Sequence, residues 1–108
     1  MTAYALAQVH SVEFGPDIVE YLERIDATLE PFDGRFLVHC GTSETVEGAG
    51  PQGGSIVIEF PNYERARAWW DSPAYRQILP LRTRHMAADI VLVEGVPSGY
   101  RGADALAH

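Results

Sequence analysis

GRFLVHCG, residues 34–41, reads as a β-strand set between two glycines. Apolar residues run from Phe36 to Val38, with Arg35 before them and His39 and Cys40 after. A second strand pattern, SIVIEF, follows at 55–60. Between the two lie five glycines and a proline in 14 residues, 41–54. A long, mobile hairpin connection fits that composition, with ETVEG as a possible extension of the first strand. The hairpin decides the fold, because the chain on either side of it supplies one strand and one helical unit.

Before the hairpin, Tyr4 to His10 (YALAQVH) reads as a short apolar strand. Gly15-Pro16 breaks it, and Pro16 suits the first turn of a helix with Asp17 and Glu20 near the positive end. Ile18, Leu22, Ile25 and Leu29 recur at helical spacing, and Glu20 and Arg24 form an i,i+4 pair. Pro31 and Asp33-Gly34 stop this helix. After the hairpin, Pro61-Asn62 ends a strand and Asn62 is placed to cap a helix carrying Ala66, Trp69 and Trp70. Ser72-Pro73 opens a second helical segment with Tyr75, Ile78 and Leu79, and Pro80 is expected to interrupt it. DIVLVE, 89–94, is the last strand. The order is β-α-β-β-α-β, the split βαβ of an α+β, ferredoxin-like fold: a four-stranded antiparallel sheet with the helices on one face. A single domain over 1–96 is expected, with a disordered tail over 97–108.

The bulk numbers narrow the function. The chain has 108 residues, 46% hydrophobic and 21% charged. At this size about two thirds of the unfolded surface is buried, enough for one core. The one cysteine rules out an internal disulfide and a cysteine-based zinc site, and fits a reducing cytoplasm. No run approaches the roughly 20 apolar residues of a spanning helix, and the N-terminus lacks the pattern of a signal peptide. Net charge is −7, with eight Arg and no Lys, so no basic surface for nucleic acid is expected. His10, His39 and His85 show no HxH or HxxxH spacing, so no metal site is expected.

Strand alternation sorts the sheet into two faces. One collects Ala5, Ala7, Val9, Phe36, Val38, Cys40, Ile56, Ile58, Phe60, Val91 and Val93, and is expected under the helices, with Cys40 a buried thiol. The other collects Tyr4, Leu6, Gln8, His10, Arg35, Leu37, His39, Ser55, Val57, Glu59, Ile90, Leu92 and Glu94. It is half apolar, which points to a second copy of the chain packed sheet to sheet as a homodimer. Arg35, His39 and Glu59 then sit at a semi-enclosed cleft. Two readings of Arg35 stand: a fork for an acidic ligand, or a bridge to Glu59. His39 is either an acid–base group or a polar residue at the interface.

The pattern G-R-F-L, then E-F-P, an aromatic pair, S-P-x-Y, Leu81-Arg82 and a terminal V-E-G resembles the uncharacterised bacterial family known as domain of unknown function 1330. The resemblance spans Tyr4 to Gly95 and takes in Arg35, Glu59, Ser72, Tyr75 and Arg82. Position 39 departs from it: His39 stands where relatives more often carry Arg. The resemblance implies a dimeric α+β barrel, similar to small cofactor-free monooxygenases, muconolactone isomerase and related decarboxylases or cyclases. The expected function is therefore a small-molecule pocket, with cofactor-free acid–base chemistry on a small aromatic or carbonyl compound. His39, Arg35 and Glu59 are the catalytic candidates; Tyr4, His10, Trp70, Tyr75 and Arg82 are the ligand-binding candidates. A ligand-binding or stress-response module without turnover, and a purely structural dimer, are the alternatives.

Overall fold

The first strand runs past His10, through a register shift between Val9 and Ser11 in its pairing with the last strand. A computed structural model, which describes residues 1–107, extends it as β1, Ala3–Val12. Helix α1, Pro16–Leu29, follows, with Pro16 in its first turn and Asp17 near its positive end. The Glu20–Arg24 pair closes at 2.7 Å. A short 3-10 turn, Glu30–Phe32, leads into Asp33, which takes a left-handed φ of 56°. Gly34 is required beside it: a Cβ there would lie 2.7 Å from the Phe60 ring and 2.8 Å from Leu29.

Strands β2, Arg35–His39, and β3, Ser55–Phe60, form the hairpin, and the 41–54 connection contains no strand. Helix α2, Tyr63–Asp71, is capped by Asn62, whose side chain accepts from the Arg65 amide at 2.9 Å. Ser72 caps α3, Pro73–Thr83, accepting from the Tyr75 amide. Pro80 lies inside α3 instead of ending it. Its ring nitrogen cannot donate to the preceding turn, but burial of Ile78 and Arg82 fixes the turns on either side. The last strand is β4, Met86–Glu94. Within the expected tail, Gly102–Ala107 forms an exposed 3-10 run, and His108 lies outside the described residues.

The strands order β2-β3-β1-β4, all neighbours antiparallel, as a ferredoxin-like sheet. Ala3, Ala5, Val9, Ile58 and Phe60 are buried beneath Tyr21, Ile25, Leu29, Trp69, Tyr75 and Ile78 of the helices.

Two features of the register change the expected faces. In β4, Ala5 pairs with Leu92 and Ala7 with Ile90, so Leu92 and Ile90 point under the helices. Val91 and Val93, expected inside, are exposed on the outer face. In β2, a bulge at Leu37 lets Phe36 oppose Ile58 while Val38 opposes Val57. One extra residue reverses the alternation beyond it. Val38 therefore faces out and His39, opposite Ile56, faces in. Cys40 is not a buried core thiol: it is exposed and takes a φ of 54° at the strand's end. The outer face remains apolar, with Leu6, Val38, Val57, Val91 and Val93.

Candidate functional site: a cavity between sheet and helices

The inner face of β1 reads Ala3, Ala5, Ala7. Small side chains there leave the helices short of partners, and a cavity of about 170 Å³ opens between sheet and helices. Its floor is Ala5, Ala7, Val9, Ile56, Ile58 and Ile90. Ile18, Tyr21, Leu22 and Ile25 of α1 form one wall; Trp69, Trp70, Tyr75 and Arg82 form the other. Exposed Phe14, His39 and Cys40 border its open side. The His39 ring stacks on Phe36 with centroids 4.8 Å apart.

Most of the lining is apolar, and its polar groups are held in place. The hydroxyls of Tyr21 and Tyr75 hydrogen bond at 2.9 Å. Tyr75 is wedged against Trp69, with centroids 4.3 Å apart, and against Trp70 at 5.4 Å. Trp69 donates its indole N–H to Thr28 Oγ1 at 3.0 Å, and Thr28 donates to the Ile25 carbonyl. Arg82 is 6% exposed, with Cζ 5.9 Å from the centre of the Tyr21 ring.

Burial, and then the neighbouring Tyr75, push the Tyr21 hydroxyl well above the usual tyrosine range; the Arg82 charge opposes them only in part. Tyr21 therefore keeps its proton at physiological pH. Above about pH 10 the unfolded chain releases the Tyr21 proton while the folded chain keeps it. The stability present in full below that pH is then lost as pH rises, by up to about 1.4 kcal/mol per pH unit for one group. Tyr21→Phe is expected to flatten this alkaline slope in urea midpoints measured between about pH 9 and 11. An unchanged slope would contradict a proton held by burial.

The residues expected to form one site divide between the two faces. His39, Trp70, Tyr75 and Arg82 meet at the cavity. Arg35 and Glu59 lie on the outer face as a bridge, Arg35 Nε donating to Glu59 Oε1 at 2.9 Å. Tyr4 pairs with Glu59 on that face, and His10 Nε2 lies 2.8 Å from Asp89 Oδ2. Arg35 and His39 thus sit on opposite sides of the sheet. Tyr21 was missed in the sequence, although it falls three residues after Ile18 and four before Ile25 on the apolar face of α1. Among the described residues, no three His, Cys, Asp or Glu side chains gather as a metal site, and no helix is long and apolar enough to cross a membrane.

The fold is shared with solved structures. A protein of unknown function from Rhodopseudomonas palustris is 11% identical, with a TM-score of 0.67 over 89% of this chain and 83% of that chain. A dimeric ferredoxin-like protein of unknown function from Jannaschia sp. CCS1 is 13% identical, with a TM-score of 0.64 over 88% of this chain and 100% of that chain. Another dimeric ferredoxin-like protein of unknown function, from Thermobifida fusca, is 13% identical, with a TM-score of 0.50 over 88% and 92%. No curated protein matches the chain. The family model described as Domain of unknown function (DUF1330) matches residues 2–96.

Proposed function

This chain belongs to the DUF1330 family, and we propose that it is a cytoplasmic homodimer that binds a small, largely apolar organic molecule in the cavity of each protomer. The observation that carries the reading is the cavity itself: apolar walls with a few fixed polar groups are what a small-ligand site requires. Its volume is close to the roughly 150 Å³ of an apolar cavity that takes benzene, so one ring fills it. The folded unit in this reading is a single domain over 1–96, and the family match over residues 2–96 supports it. The dimer forms through the outer sheet face, whose valines and Leu6 are otherwise left to water; related folds described as dimeric support this. The exposed thiol of Cys40 suits a reducing compartment.

Acid–base turnover of a small aromatic or carbonyl compound is a second reading, favoured by the bulge that turns His39 toward the cavity. Its imidazole would move the proton, and the Tyr21 and Tyr75 hydroxyls would hold developing negative charge. Arg35 and Glu59 take no part in this version, since they face away.

Toluene titrated into the protein is expected to give a saturable change in the emission of Trp69 and Trp70. Ala7→Leu, which puts a larger side chain on the cavity floor, is expected to weaken binding at least tenfold. A linear, unsaturable response in the wild type would refute the binding reading.

A further inference from the structure

Arg82 differs from the other arginines. Arg24, Arg35, Arg65, Arg67, Arg76 and Arg84 each lie against a carboxylate at the protein surface. Arg101 is exposed. Arg82 alone is buried, and no ion pair among the described residues includes it. Its described hydrogen-bond partners are neutral: the Met86 sulfur, a weak acceptor 4.0 Å from Nη1, and the Tyr21 hydroxyl. The face of Tyr21 and the C-terminal end of α3 favour a positive charge nearby but do not neutralise it. A guanidinium held largely out of water, with no ion-pair partner among the described residues, is costly for a folded protein to keep. Arg82 also lines the cavity, beside the paired hydroxyls of Tyr21 and Tyr75.

We propose, resting on the cavity reading, that Arg82 anchors an anion and that the ligand is a small aromatic or alicyclic monocarboxylate. The ring lies over Ala5 and Ala7 and against the indoles. The carboxylate takes two parallel N–H bonds from Arg82 and one O–H bond from the tyrosine pair. The Tyr21 hydroxyl keeps its proton, so the tyrosine pair meets the anion without repelling it. A single buried cation, with His39 at the open side and no Lys in the chain, suits one negative charge and not two. The same charge explains selectivity. A neutral molecule of equal shape would fill the apolar part and leave the guanidinium unpaired.

Benzoate and benzamide share a ring and nearly a shape, and differ in charge. Binding of each to the full chain at neutral pH, followed by calorimetry, separates the two claims. Benzoate is expected to bind at least tenfold more tightly than benzamide. Arg82→Gln is expected to bring benzoate to the level of benzamide while leaving benzamide unchanged. Equal binding of the two by the wild type would overturn the anion anchor and leave the cavity reading standing. Binding of neither would overturn both. The wild-type comparison decides the matter even if the Arg82→Gln protein fails to fold.

Discussion

Trp69→Ala is expected to lower the unfolding free energy by about 3–5 kcal/mol, most of the stability of a marginal domain. Trp69 is 2% exposed and packs against Phe60 and Tyr75 with ring centroids 5.5 and 4.3 Å away. Its indole N–H also satisfies Thr28 Oγ1. Truncation removes a large apolar side chain, leaves a void that extends the existing cavity, and frees Tyr75 from one of its two indole contacts. Trp70→Ala, at a half-buried position in the same cavity wall, is expected to cost less than half as much. Urea denaturation followed by far-ultraviolet circular dichroism measures both. Equal effects of the two substitutions would show that the core does not centre on Trp69.

Val91→Asp is expected to convert a dimer to a monomer, weakening self-association by at least about a thousandfold. Val91 is 54% exposed in the isolated protomer, on the face that also carries Leu6, Val38, Val57 and Val93. Burying an unpaired carboxylate between two such faces costs several kcal/mol, and C2 symmetry applies the change from both sides. The same substitution is harmless to the protomer core, because Val91 faces away from the helices. Sedimentation equilibrium of the two proteins is the measurement. Wild-type protein that remains monomeric at high concentration, or a variant that dimerises as well as the wild type, would remove the outer sheet face as the interface.

The sequence conveyed element order well and strand phase poorly. Gly15-Pro16, Asn62 and Ser72-Pro73 are local signals, and each marks a helix start in the structure. The β4 run IVLV has no polar residue to set its phase, so its inward side was decided only by pairing with Ala5 and Ala7 of β1. The Leu37 bulge leaves no trace in composition, because an inserted leucine looks like any strand residue. That one residue separates Arg35 from His39 and moves His39 to the cavity. Arg82 shows the opposite limit. The Leu81-Arg82 pattern marks the residue, but nothing short of the packed helices reveals that its charge is buried, since an arginine near a helix end is ordinarily solvated. The alternation of Ala5 and Ala7 was visible, and its meaning as missing volume became clear only with the helices above it.

The most direct test of the ligand cavity is a crystal structure of protein purified without denaturation and crystallised with benzoate. The account predicts density for a flat ring over Ala5 and Ala7, between the indoles and the α1 wall, with its carboxylate on Arg82. A cavity that stays empty at saturating benzoate, or one closed by inward rotation of Trp70 and Phe14, would contradict it.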